Sequence, residues 1–260
     1  MKTTKRSKML LSSIAMLLVA LVALGSASFA WYNVQTSVTA TGAQVSAAKA
    51  DGLEIRKYTG AVLADDDTWG NWTTGITLDS KPNLAPSSID YNQALNSVTY
   101  ATGGEGASFT DGTLSGNLAA VTSGYSSFFI NRFQVAASST GGNIHWRIDN
   151  VTAPANTYVA YAIYKDGTFV GSYTSGTAAS KKVKLSGTDV VANAGDDYTH
   201  TGTLTTGTNI PLTDFTVGDK NTPTDITVIG FADGFDANCK SSNANNNNVS
   251  ISFTFSQNAF

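Results

Sequence analysis

The chain has 260 residues, of which 13% are charged, with 16 Lys and Arg against 19 Asp and Glu, two His and one Cys. A net charge of −3 argues against nucleic acid as a partner, because polyanion binding needs a basic surface. Glu occurs only at Glu54 and Glu105. A chain so poor in Glu and so rich in Ser, Thr, Asn and Gly lacks the usual material of helix surfaces and favours strands, which also argues against most metalloenzymes.

The first predicted element is a signal peptide over residues 1–30. Lys2, Lys5, Arg6 and Lys8 form a basic start, Met9–Leu24 is apolar, and Ser28 and Ala30 supply the small residues of a cleavage site between Ala30 and Trp31. The apolar stretch is shorter than the roughly 20 residues a membrane helix needs, so the mature protein is expected to be free of the membrane, with an uncleaved anchor in a thin bilayer as the alternative. Cleavage leaves 12 basic against 19 acidic residues, a charge of −7 on residues 31–260. Cys239 lies far from the cleavage site and cannot be a lipid-modified first residue. The last five residues carry no sorting motif, so release or non-covalent retention at the surface is expected.

Strand patterns then recur to the end of the chain, with little helical periodicity. Candidates in order are Val34–Ala40, Gln44–Ala48, Leu53–Lys57, Ser126–Ala136, Ile144–Val151, Tyr158–Tyr164, Thr168–Tyr173, Val183–Val191, Asp225–Phe231 and Val249–Ser256. In the last of these, Val249, Ile251, Phe253 and Phe255 alternate with hydroxyl residues, the mark of a half-buried strand. Asp166-Gly167 between Tyr158–Tyr164 and Thr168–Tyr173 predicts a tight hairpin, since both turn positions require positive φ. Asp90–Asn96 is read as one helical turn, and Ala64–Glu105 and Asp233–Asn248 as long polar loops. Many short strands with no βαβ alternation predict an all-β fold, a single antiparallel β-sandwich over residues 31–260.

Catalytic motifs are missing from this pattern. His145 and His200 stand in unrelated contexts, no His-Glu-x-x-His segment occurs, and Cys239 has no recognisable base, so no catalytic residue is assigned. Calcium is the one cofactor with candidate ligands: Asp65 and Asp67 imitate the start of a calcium loop, but Trp69 and Ile76 stand at positions where that loop needs oxygen donors. Asp233 and Asp236 form a second candidate group, with solvated turn residues as the plain alternative. Trp69 and Trp72, three apart in a polar loop, are candidate glycan contacts, or else anchors that pin the loop to the sandwich.

The block Leu17-Leu-Val-Ala-Leu-Val-Ala-Leu-Gly-Ser-Ala-Ser-Phe-Ala-Trp31-Tyr32, the following Val38–Val45 and Gly52–Ile55, and the closing Gly234–Cys239 and Val249–Phe255 together resemble the TasA/camelysin family of exported Gram-positive proteins with SipW-type signal sequences. The resemblance implies a jelly-roll-like sandwich and a structural role in fibres of a biofilm matrix or cell surface. It also implies a homopolymer, joined as the N-terminal segment of one subunit completes the sheet of the next, with a SipW-like signal peptidase as processing partner. In this chain the assembly strand would be Trp31–Ala40, with Trp31, Tyr32, Val34 and Val38 as its larger side chains. The alternative is that this segment folds back on its own domain. Camelysin-like members have been classed as metalloproteases, but with no zinc motif here that activity is not expected. An extracellular adhesin or glycan-binding module using the Trp69/Trp72 loop is the second reading.

Overall fold

The computed structural model describes residues 16, 44–47, 52–60, 68–79, 84, 86–89, 100–102, 108–110, 113–115, 128–138, 142–176, 179–186, 189–234, 236, 238, 239 and 249–260. Among them the chain forms eighteen strands. The first seven are β1 (Gln44–Ala47), β2 (Leu53–Lys57), β3 (Gly75–Thr77), β4 (Pro86–Ile89), β5 (Tyr100–Thr102), β6 (Ser108–Thr110) and β7 (Thr113–Ser115). The long central strands follow: β8 (Phe128–Ala137), β9 (Gly142–Thr152), β10 (Val159–Lys165), β11 (Thr168–Thr174), β12 (Ala179–Ser186) and β13 (Asp189–Thr199). The last five are β14 (Gly202–Thr203), β15 (Ile210–Pro211), β16 (Phe215–Val217), β17 (Thr224–Asp233) and β18 (Ser250–Ser256).

Two sheets face each other. One runs β15-β9-β18-β1-β3, with β16 also on β9. The other runs β14-β11-β10-β17, and the far edge of β17 is shared by β8 along residues 224–231 and β4 at 232–233, with β2 beyond β8 and β5 beyond β4. The all-β sandwich expected from composition is the observed fold. Its long strands pair antiparallel, whereas β1 with β18, β11 with β14 and β4 with β17 pair parallel, so both sheets are mixed.

The core is where the two inner faces interdigitate. Trp146 of β9 stacks on Phe255 at 5.4 Å and Phe253 at 6.3 Å, and Phe215 meets it edge-on at 5.4 Å. Phe133, from the opposite sheet, touches Phe253 and Phe255 at 6.4 and 6.1 Å and joins the layers. The alternation in β18 is the one its sequence predicts: Ile251, Phe253 and Phe255 are buried and Ser250, Ser252 and Thr254 half-buried. In β9 a bulge sets two residues, Asn150 and Val151, against Ile251. Asn150 takes φ 49°, and the bulge returns Val151 to the core.

The hairpin between β10 and β11 also forms as predicted, with Asp166 at φ 47° and Gly167 at φ 76°. Gly230 is needed for a different reason. A Cβ there would stand 2.1 Å from the ring of Phe129, its cross-strand partner.

Other expectations change. Val183–Val191 is not one strand: the chain turns between β12 and β13, which pair as a hairpin. Ala64–Glu105 is not a plain loop, since it contains β3, β4 and β5. The helical turn at Asp90–Asn96, the strand Val34–Ala40 and all of the signal segment except Met16 lie outside the described residues. Among the described residues, no helix is long and apolar enough to cross a membrane.

Candidate functional sites

Three places combine chemistry-bearing residues with a defined geometry. The first is the N-terminal strand. β1 lies between β18 and β3, parallel to the former and antiparallel to the latter, with Gln44 opposite both Ser252 and Thr77. Val45 is buried in the core and Gln44 is exposed. The predicted cleavage junction Ala30/Trp31 and the candidate assembly residues Tyr32, Val34 and Val38 lie outside the described residues.

The second is the segment Thr68–Leu78, which carries Trp69 and Trp72. Trp69 bridges Tyr58 and Thr73 bridges Ile55, so the segment runs along the outer edge of β2. Trp69 meets Tyr58 edge-on at 5.0 Å. The Arg56 guanidinium lies 5.2 Å from the Trp69 ring and 4.6 Å from the Trp72 ring, and Arg132 lies 5.1 Å from both Trp69 and Tyr58. Lys220 stands 5.8 Å from Trp72 and ion-pairs with Glu54. The rings therefore interleave with cations along the sheet. A sugar ring stacking on Trp69 would have to compete with two guanidinium groups for its faces.

Asp225 completes that surface by accepting from Arg132 Nε at 2.7 Å. Burial pushes its carboxyl above the usual range, and the Arg132 hydrogen bond and charge only partly oppose this.

The third place holds Asp233 and Asp236, the second candidate calcium group, and joins them to Ser172 and His200, which the sequence pattern does not link to them. At one end of β10, β11 and β17 the core is polar. His200 Nδ1 lies 3.1 Å from the Ser172 hydroxyl, and its Nε2 lies 3.1 Å from Asp233 Oδ2. Asp236 accepts from Asn238 N at 2.7 Å and packs on Gly176, where a Cβ would come within 2.0 Å of its carboxylate. Ser172, His200, Asp233 and Asp236 are all buried, so neither acid is the solvated turn residue that its sequence context suggests. The order Ser-His-Asp imitates a hydrolase relay, but the Ser172 hydroxyl is out of reach of solvent in this conformation. The arrangement holds a buried carboxylate in place.

Cys239 is a free, buried thiol beside this cluster, and burial together with Asp233 and Asp236 pushes its pKa well above the ordinary value. Among the described residues, no group of three or more His, Cys, Asp and Glu is set to hold a metal ion, and Asp65 and Asp67 lie outside them. His145 is far from this cluster in role. It sits on the outer face of β9 and pairs with Asp214 at 2.8 Å. Sequence spacing gives no signal for the relay, because its members are 28 and 33 residues apart.

By fold, the chain is an all-β sandwich of two mixed sheets. No protein-family model matches it, and no curated protein does. Among solved structures, a PA14 sugar-binding domain from an RTX adhesin is similar over 40% of this chain and 40% of that one, at 10% identity and a TM-score of 0.19. A likeness at that level carries no argument about binding.

Proposed function

We propose that the protein is an exported structural component of the cell surface or extracellular matrix, which assembles into fibres by adding its N-terminal strand to a neighbouring copy. The register of β1 carries this reading. Gln44 pairs with Ser252, and β18 begins at Ser250. A parallel strand continuing β1 toward the N terminus would run past the start of β18 after two more residues. As a strand, Trp31–Ala40 would reach about 33 Å, enough to run along the edge of another subunit. Strand addition supplies main-chain hydrogen bonds, and alternate side chains such as Tyr32, Val34 and Val38 supply specificity. A head-to-tail contact that does not close propagates as a filament. The basic start, apolar stretch and Ser28/Ala30 site supply the export step.

The test is electron microscopy of mature protein beginning at Trp31, beside a variant lacking residues 31–40. Fibres from the first and a folded, fibre-free second chain are expected. Fibres that persist in the deletion, or none from either chain, would overturn the reading.

A further inference from the structure

The segment Thr68–Leu78 belongs to both sheets. Its first half pairs with β2 through Trp69 and Thr73, and its second half is β3, which pairs with β1. Backbone bonds fasten it at Thr59 N to Thr68 O, 2.9 Å, Gly70 N to Lys57 O, 2.8 Å, and reciprocally between Ile55 and Thr73 at 2.7 and 2.8 Å. Just beyond β3, the Asn131 amide grips the backbone of Asp79 at both N and O, and Lys57 Nζ reaches the Asp79 carboxylate at 2.7 Å. β1 therefore has β18 on one side and this strap on the other.

The strap is held mainly by its surface. From Thr68 to Thr77 every residue is exposed or half-exposed, and only Leu78 is buried. Its grip comes from the backbone bonds to β2 and β1 and from the Trp69 and Trp72 rings interleaved with Arg56 and Arg132, with Leu78 in the core and Ile76 packed against it. Segments with little buried apolar surface open at lower free energy than the core.

We propose that this strap is a lock on β1: closed, it covers the outer edge of β1 and holds it in its own sheet, and opened, it bares that edge for the Trp31–Ala40 strand of a second copy. The second half of the proposal rests on the strand-addition reading, while the first stands on the strap geometry alone. With β3 lifted, β1 keeps its four-residue parallel ladder with β18, and Val45 is its buried side chain among those described.

Amide hydrogen exchange on the mature chain tests the lock, comparing wild type with a Trp69→Ala, Trp72→Ala double variant. Exchange in β1 and at Thr73 should rise together, roughly two- to thirtyfold for each cation–ring pair removed, while β10 and β17 keep their protection. Faster exchange at Thr73 with β1 unchanged would overturn the lock. If the double variant loses protection everywhere, Arg56→Gln removes the shared cation and leaves both rings, with the same two readouts. Mixing isotopically heavy and light copies and weighing the assemblies separates the two halves. Faster β1 exchange with no mixed oligomers would leave the lock standing and overturn strand addition.

Discussion

Two histidine–aspartate pairs of similar length sit in opposite surroundings, and replacing each histidine by alanine separates burial from distance. His145 Nδ1 is 2.8 Å from Asp214, with the side chains 28% and 45% exposed. His200 Nε2 is 3.1 Å from Asp233, and both side chains are fully buried. Bond length alone ranks the first pair higher. Solvation reverses the order, because water takes the place of a missing partner at Asp214, and such exposed pairs contribute about 0.2–1 kcal/mol. Removing His200 takes a partner from a carboxylate that solvent does not reach and one from Ser172 as well, a loss of about 3–5 kcal/mol. For a domain of this size each kcal/mol moves the melting temperature by about 2–4 °C. His145→Ala is therefore expected to lower it by under about 4 °C, and His200→Ala by roughly 6–20 °C, measured by circular dichroism at neutral pH. His200→Gln, whose amide can still donate to Asp233, should recover part of the loss. Equal losses in the two alanine variants, or a larger one at His145, would refute the argument that burial decides.

Gly230→Ala sets two effects against each other. Alanine suits a strand better than glycine by roughly 0.5–1 kcal/mol, but its Cβ meets the Phe129 ring at 2.1–2.7 Å, and that ring is itself packed edge-on against Tyr161 at 6.1 Å. Overpacking costs about 1–3 kcal/mol, so a net loss is expected in denaturant unfolding, eased when Phe129 is also shortened to Leu. A stabilised single variant would show that the ring moves freely. At Asp225, burial raises the folded-state pKa above its unfolded value, so folding takes up a proton there. This group's cost to stability is then fully present above the folded pKa and is relieved as pH falls toward the unfolded one. Wild type should gain on Asp225→Asn between pH 7 and 4 in paired thermal melts, and a gap that widens in the other direction would mean that Arg132 outweighs burial.

The clearest signals in the sequence are those whose cause is local. Three apolar residues alternating with four hydroxyls define β18 because one face of it meets the core, and Asp166-Gly167 defines a turn because two successive positive φ angles are needed there. Val183–Val191 misleads because the same β-branched residues serve both arms of a hairpin, and Gly187-Thr188 between them is a weak punctuation mark. The strap has the composition of a loop because only Leu78 of it is buried and its rings pack on Arg56 and Arg132, which resemble ordinary strand-surface charges. Asp233 has the sequence context of a polar loop, and only the pairing of β17 with β10 and β4 carries it into the interior.

The contrast between β18 and β10 explains why a polar cluster sits where it does. The outer face of β18 is partly open to solvent, so the hydroxyls of Ser250, Ser252 and Thr254 can keep water as a partner. β10 reads Val-Ala-Tyr-Ala-Ile-Tyr without alternation because the sheet around it is buried on both faces, with Ala160, Ala162, Tyr164, Ile229 and Phe231 forming a second apolar layer opposite the main core. There a polar side chain must find a protein partner, since neither face offers it water. Ser172 and Asp233, on the strands that flank β10 on either side, meet this requirement together through His200, which follows β13. One imidazole, with a hydrogen-bonding atom on each side, can serve a hydroxyl and a carboxylate at once, which neither Lys nor Asn does in the same compass. The scarcity of histidine in this chain then has a structural reading: one of its two histidines is spent on the side of the fold where solvent cannot satisfy an acid.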